Sequence, residues 1–117
     1  MRFFTFASTL SLTLLTSNFT YAEDDIENGR EKFTANCQAC HGELGRGDGP
    51  AAASLPNRPA NLAKKLNKPF SSKYFITNGV LRGKVDKGMP AWQDALTRQD
   101  VYDILAYVEQ QNLNVQN

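Results

Sequence analysis

The chain's two cysteines and its only histidine lie within five consecutive residues, Cys37-Gln38-Ala39-Cys40-His41. Two cysteines three residues apart at the end of a helix lie on one side of it, about one turn apart. This spacing is typical of covalent haem c attachment, in which each thiol forms a thioether with one vinyl group of a porphyrin. The sequence therefore predicts one haem c bound through Cys37 and Cys40, with His41 as a ligand of its iron.

Other uses of these three residues fit the sequence less well. A structural zinc site needs four ligands, and two cysteines with one histidine supply only three. A thioredoxin-like dithiol would need the motif near a βαβ unit, and a plain disulfide would leave the single histidine beside it without a role. These readings stay open as alternatives to haem attachment.

The size and charge of the chain favour a small cofactor-dependent domain. A chain of 117 residues has a thin core, and proteins of this size often depend on a metal, disulfide or cofactor for stability. The chain has 13 Lys and Arg against 12 Asp and Glu, a formal net charge of +1. Non-specific nucleic-acid binding needs a larger surplus of basic residues, so we expect no nucleic-acid partner.

Residues 1–22 resemble a secretory signal peptide. Arg2 gives a positive start, Phe3 to Leu15 form an apolar stretch, and Ala22 is a small residue suited to cleavage. The apolar stretch contains several Thr and Ser residues and is shorter than the roughly 20 apolar residues of a membrane-spanning helix. We therefore expect cleavage, export to the periplasm, and a mature domain over residues 23–117 that does not span a membrane.

The pattern of the mature chain predicts an all-α fold. No window alternates apolar and polar residues for long enough to form a sheet, and the glycines and prolines of residues 42–60 predict a loop with one helical turn near 51–55. Asp24 or Asp25 begins the first predicted helix, Asn78-Gly79 ends the third, and a Thr97-x-x-Asp100 start begins the last. The predicted helices cover residues 25–36, 61–67, 71–78 and 97–111.

Met89 is the one methionine after the predicted signal peptide, and it lies in Gly88-Met89-Pro90, 48 residues after His41. A thioether is a soft ligand suited to iron that changes oxidation state, and a Met/His pair raises the reduction potential. A core methionine normally lies in a periodic segment, whereas this one lies in a turn. Met89 is thus the candidate second ligand, and the alternatives are a packed loop methionine, a lysine ligand or an open iron.

In these motifs the chain resembles the class I c-type cytochromes, which are small monohaem electron carriers. The resemblance covers residues 25–111 and includes the Cys37 to His41 motif, Gly88-Met89-Pro90 and the two terminal helices. The loop from Gly45 to Pro50, with Trp92 soon after the methionine, resembles bacterial members of the family. The resemblance implies three to five helices around one covalently bound haem.

The resemblance also implies roles for individual residues. The terminal helices are expected to cross at Gly29, against Ile104 and Tyr107, beside Phe33. A proline carbonyl just past the haem motif is expected to accept the proton of the second ring nitrogen of His41, and Pro50 is the best match. Trp92 is expected to line the haem pocket.

The resemblance implies that the protein transfers one electron at a time in an extracytoplasmic respiratory chain. We expect it to be a monomer and not to catalyse a reaction. The alternatives are a haem subunit permanently docked in an oxidase or reductase complex, and an open-site haem sensor or weak peroxidase. Residues 58–87 contain eight basic residues and one acid, Asp86, a net charge of +7. This basic region is the predicted docking surface for the redox protein donor and acceptor.

Overall fold

The computed structural model describes residues 22–117, and every element named in that range is a helix. The predicted signal peptide, residues 1–22, lies outside the described residues except for Ala22. The α-helices are α1 (Ile26–Asn36), α2 (Gln38–His41), α3 (Leu62–Leu66), α4 (Lys73–Arg82) and α5 (Arg98–Gln116), with 3-10 turns at Ala52–Ser54 and Val85–Lys87. The all-α prediction is confirmed. In the part of the chain described, no helix is long and apolar enough to cross a membrane.

Local sequence explains where α1 and α2 begin and end. The Asp25 side chain accepts a hydrogen bond from the amide of Asn28 at 3.0 Å and so caps α1. The amide of Cys37 donates to the Phe33 carbonyl at 2.9 Å, which closes the last turn of α1. Helix α2 follows directly, so that both cysteines and the histidine lie at the junction of two helices.

Helix α5 begins at the predicted capping box. The Thr97 side chain accepts from the amide of Asp100, and the Asp100 side chain accepts from the amide of Thr97. The helix runs to Gln116, five residues beyond the predicted end at about 111. It continues because Asn112 is buried and its side chain donates to the carbonyls of Leu44 and Val108, at 2.9 and 2.8 Å.

Helices α1 and α5 cross at Gly29, as the resemblance implied. A Cβ atom on Gly29 would overlap the carbonyl oxygen of Asp103 and lie 3.0 Å from the amide nitrogen of Ile104. Beside this point the rings of Phe33 and Tyr107 pack at 5.7 Å between centroids, tilted by 52°. Glycine costs about 1 kcal/mol in a helix relative to alanine, and the close approach of the two backbones explains its presence here.

Helix α4 extends further than the sequence predicted. The sequence predicts an end at Asn78-Gly79, but the helix continues to Arg82 and ends at Gly83, whose φ of 68° is left-handed. The amide of Gly83 donates to the carbonyls of Gly79 and Val80 at 2.9 and 3.2 Å, which closes the helix. The predicted end at Gly79 is wrong, because the left-handed glycine that ends the helix is Gly83 and Gly79 has no positive φ.

The core surrounds the middle of α5, where residues 103–108 are all buried. Its buried members come from α1, α3, α5 and Leu96: Phe33, Leu62, Leu96, Val101, Ile104, Leu105, Tyr107 and Val108. On the other side of the core the apolar residues of α4 and the following loop are only partly buried. The haem motif at the end of α1 lies beside a cavity.

Candidate functional site

A cavity of about 620 Å³ lies between the haem motif, α3, α4, α5 and the loop before α5. Five of the six predicted site residues line it, and the sixth, Pro50, is not among the residues described as lining it. The five are Cys37, Cys40, His41, Met89 and Trp92. Most of the remaining lining is apolar, with Ile76, Val80 and Leu105 among its members. The fold thus gathers distant parts of the sequence around one space of the size of a cofactor pocket.

The two cysteines are positioned by the turn between α1 and α2. The amides of Cys40 and His41 both donate to the carbonyl of Cys37, at 3.3 and 2.8 Å. No disulfide joins the two cysteines in the described chain, and both are partly buried. Burial, with a smaller contribution from the charge of Cys40, raises the pKa of the Cys37 thiol to about 12.

His41 is held by a carbonyl that the sequence did not indicate. Its Nδ1 lies 2.9 Å from the carbonyl oxygen of Ala60, so the prediction that Pro50 supplies this acceptor is wrong. Residues 49–51 instead fold back onto α2, where the amides of Gly49 and Ala51 donate to the carbonyls of Cys40 and Ala39, at 3.1 and 2.9 Å. The later turn that leads into α3 brings Ala60 to the imidazole.

The surroundings of His41 favour a neutral ring. Burial is the main cause that lowers the pKa of His41, and the charge of Lys65 lowers it further, whereas the Ala60 carbonyl acts in the opposite direction. A neutral imidazole that donates from Nδ1 to a carbonyl has its lone pair on Nε2. This tautomer is the one a histidine needs to ligate iron through Nε2.

Met89 is fixed by its own backbone. Lys84 and Met89 form a β-bridge in which each amide donates to the carbonyl of the other, at 2.9 and 3.0 Å. Gly88 precedes the methionine with a φ of 89°, a left-handed conformation that glycine adopts without strain. Trp92 follows, and its amide donates to the Leu81 carbonyl at 3.1 Å, which ties the end of this loop to α4.

The residues around the cavity fit a haem. The lining combines apolar side chains with two thiols, a neutral imidazole and a thioether, which is the donor set for covalent attachment and for two axial ligands. Gly79 also lines the cavity, and a Cβ atom on it would meet nothing within 4 Å, so this part of α4 leaves room for a large group. In residues 22–117 no three His, Cys, Asp or Glu side chains cluster to hold a metal ion, whereas a haem iron needs only two protein ligands.

The charged lining also matches a haem. Four basic residues line the cavity, and none of its lining residues described here is Asp or Glu. Two carboxylates project from a haem, and cations near them reduce the free energy lost on burying them. The four are Arg58, Lys65, Lys84 and Lys87.

Comparison with known families also indicates a haem protein. The family model described as Cytochrome c matches residues 26–112. The chain belongs to the cytochrome c family. Cytochrome c proteins carry covalently bound haem c and transfer electrons through it, and in this chain Cys37 and Cys40 supply the attachment spacing.

Several cytochrome c6 proteins are similar to the chain over most of their length. Cytochrome c6 of Bryopsis maxima is 36% identical over 92 residues, which cover 72% of this chain and 89% of the relative. Cytochrome c6 of Bumilleriopsis filiformis is 34% identical over 75% of this chain and 93% of the relative. Cytochrome c6 of Gloeothece citriformis is 31% identical over 86% of this chain and 88% of the relative.

A solved structure shares the fold. It is the Kuenenia stuttgartiensis reducing HAO-like protein complex, with a TM-score of 0.63 and 22% identity over 81% of this cytochrome. The cytochrome spans about half of that chain, 48% of its length. This similarity supports the class I cytochrome c fold and nothing finer.

Sequence reasoning missed two features of the site. Ala60 gave no signal, because any residue can present a backbone carbonyl and only the path of the chain shows which one reaches His41. Gly79 did give a signal, as a glycine within an apolar helical stretch, but it was interpreted as a helix stop. Its position on the cavity wall is a consequence of how α4 packs.

Proposed function

We propose that this cytochrome is a one-electron carrier whose haem iron is ligated by His41 and Met89, and that it acts in the periplasm as a donor and acceptor in a respiratory chain. One observation carries this proposal. His41 and Met89, 48 residues apart in sequence, line the same cavity, and each is held there by hydrogen bonds within the protein. When bound, the haem iron supplies the redox couple.

Hydrogen bonds within the protein hold both candidate iron ligands in place, as a carrier with no open coordination position requires. The Ala60 carbonyl fixes the orientation of the His41 ring, and the β-bridge between Lys84 and Met89 fixes the backbone that bears the thioether. Side chains held in advance by the protein lose little conformational freedom when they bind the iron. The proposal includes no substrate reaction at the iron, because His41 and Met89 would hold it from both sides.

Export is part of the same proposal. The signal-like residues 1–22 support transport across the inner membrane, and the Glu23 to Asp25 segment would then begin the mature chain. Redox proteins in that compartment would be the donor and acceptor, and the basic region of residues 58–87 is where we propose that they dock.

The ligation is tested with Met89→Leu, which keeps the apolar bulk and removes the sulfur. We expect the variant to retain covalent haem, to have a lower reduction potential, and to bind carbon monoxide in the ferrous form, because the sixth position becomes open. The measurements are the visible spectra of both oxidation states, with and without carbon monoxide, and a potentiometric titration.

Ile76→Ala is the matched control, since it opens space in the same cavity without removing a candidate ligand. It should retain the ferric band from methionine sulfur and bind no carbon monoxide. If Met89→Leu has the potential and spectrum of the wild type, Met89 is not the ligand. If the wild type itself binds carbon monoxide readily, the carrier proposal gives way to an open-site sensor or peroxidase.

A further inference from the structure

A second groove, separate from the haem cavity, lies on the other face of α3. Leu62 and Lys65 of this helix line the haem cavity, whereas Ala63, Lys64 and Asn67 line the groove. The loop after the haem motif, the turn after α3 and the end of α5 complete the groove, which has a volume of about 450 Å³. No described residue lines both spaces, so the groove is not part of the haem site.

The groove is positively charged. Its charged lining residues are Arg46, Lys64 and Lys68, and within residues 22–117 no Asp or Glu lines it. All three basic residues are exposed, and none of them forms an ion pair with another described residue. A cleft lined by charges of one sign concentrates ions of the opposite sign. The groove therefore suits an anionic ligand.

The Arg46 side chain is held by a buried residue. Asn112 lines the groove and is only 5% exposed. Its side-chain nitrogen donates to the carbonyls of Leu44 and Val108, and its oxygen accepts from the guanidinium of Arg46 at 3.5 Å. A guanidinium has five N–H groups, and most of them remain for a ligand. An arginine positioned before binding loses less conformational entropy when the ligand arrives.

The donors in the groove match phosphate oxygens. Arginine binds phosphate through paired N–H groups, and lysines add point charges. The side-chain oxygen of Asn61 accepts from the Lys64 amide at 2.8 Å, which leaves the NH2 group of Asn61 as a further donor. A phosphate monoester carries about −1.5 to −2 charges at pH 7, fewer than the three basic residues of the groove supply. Two phosphoryl groups match that charge more closely than one.

We propose that the groove binds an anion with two neighbouring phosphoryl groups, whose oxygens contact Arg46, Lys64 and Lys68. These groups belong either to free diphosphate and its esters or to adjacent headgroups of an anionic lipid surface. The site does not depend on the proposed carrier function, because it shares no described lining residue with the haem cavity.

A bound anion would connect the loop after the haem motif to α3. The Gly45 carbonyl already accepts from the Leu62 amide at 2.7 Å, and the Gly47 amide donates to the His41 carbonyl at 2.7 Å. Arg46 lies between these two glycines, so an anion that joins it to the lysines of the groove would strengthen the same connection. We therefore expect an occupied groove to slow the opening of α3.

The test is isothermal titration calorimetry of the haem-loaded protein with sodium diphosphate at constant ionic strength. The wild type should bind one diphosphate per molecule. Arg46→Gln should weaken the affinity by about tenfold or more, because it removes charge-assisted hydrogen bonds. Lys64→Gln leaves the contact of Arg46 with Asn112 in place and should weaken the affinity by about threefold.

Arg82→Gln is the matched control, because Arg82 is an exposed arginine that lines neither the groove nor the haem cavity. It removes the same charge and should keep the wild-type affinity for diphosphate. Equal affinity of Arg46→Gln and the wild type would overturn the proposal. An equal loss in Arg82→Gln would overturn it too, since net charge alone would then govern binding.

Hydrogen exchange measured by mass spectrometry locates the bound anion. With diphosphate present, the wild type should gain protection over residues 61–68, whereas Arg46→Gln should not. A gain confined to residues 84–92, several of which line the haem cavity, would place the anion there and overturn the proposal.

Cosedimentation with lipid vesicles distinguishes the two sources of phosphate. If phosphatidylglycerol vesicles bind the wild type but not Arg46→Gln, and release the wild type when diphosphate is added, lipid headgroups occupy the groove. If these vesicles do not bind while diphosphate does, the ligand is a free anion. Phosphatidylcholine vesicles, which carry no net charge, are the control and should not bind. A wild type that binds neither diphosphate nor phosphatidylglycerol vesicles would overturn the proposal.

Discussion

The helix crossing and the cavity wall both contact α5, but only the helix crossing is fully packed by the protein's own residues. At the helix crossing, where α1 packs on α5, Phe33 and Val101 have no exposed surface, and the backbones touch at Gly29. On the cavity wall, formed by α4 and the loop after it, Ile76, Val80 and Trp92 remain partly exposed around about 620 Å³ of space. Protein interiors are close-packed, so apolar walls around a space of this size indicate that a bound group completes the core.

The largest expected effect comes from removing the haem, which should affect the cavity wall more than the helix crossing. Cys37→Ser combined with Cys40→Ser, expressed in an exporting host, should carry no covalent haem. Hydrogen exchange measured by mass spectrometry should then show loss of protection in α3 and α4, while α5 opposite α1 keeps part of its protection. Gln38→Ser, which leaves both thiols in place, should behave as the wild type. Equal loss of protection in α4 and α5 would contradict the idea that the haem stabilises the cavity wall more than the helix crossing.

The next largest effect is expected at the helix crossing itself. Gly29→Ala places a methyl group on the backbone of Asp103, which cannot move away as a side chain could. The free energy of unfolding should fall by about 3 kcal/mol or more, measured by guanidinium denaturation of the haem-loaded protein. Glu31→Ala, at an exposed position of the same helix, should change it by less than about 0.5 kcal/mol. A loss below about 1 kcal/mol for Gly29→Ala would mean that the helices can separate at little cost.

A smaller effect is expected where α5 contacts the loop after the haem motif. Asn112 is buried, and its side chain donates to the Leu44 carbonyl. Asn112→Ala should lower the free energy of unfolding by about 1 to 2 kcal/mol, because it leaves that carbonyl without its partner. Asn114→Ala, on an exposed part of the same helix, is the control and should have little effect. Equal results for the two variants would show that this contact adds nothing to the stability of the crossing.

The smallest effect is expected at Thr77, a fully buried residue of α4 whose hydroxyl has no hydrogen-bond partner within residues 22–117. Thr77→Val removes that hydroxyl without changing the size of the side chain, so the free energy of unfolding should stay the same or rise by up to about 1 kcal/mol. The same substitution at Thr97, which caps α5, should lower it by about 1 kcal/mol. Thermal unfolding of both variants measures this difference. A clear decrease in the free energy of unfolding of Thr77→Val would reveal that the Thr77 hydroxyl forms a hydrogen bond.

Features that depend on local chemistry are predictable from the sequence. Cysteine spacing predicted the attachment site, because both thiols must lie on one side of one helix turn. The capping residues Asp25 and Thr97 predicted where the terminal helices begin, since a cap bonds to amides two or three residues along the chain. The absence of strand-like alternation predicted an all-α fold.

Which distant groups meet depends on how the helices and loops pack together. A backbone carbonyl has no sequence signature, so only the path of the chain could show that Ala60, and not Pro50, reaches His41. Gly79 is compatible with either a helix end or a helix interior, and in the fold it lies on the cavity wall inside α4, while Gly83 forms the left-handed end. The same applies to the C-terminal turn of α5, which continues because Asn112 bonds to a loop 68 residues earlier in sequence. Local hydrogen bonds are encoded by neighbouring residues, whereas these three outcomes depend on packing between elements far apart in the chain.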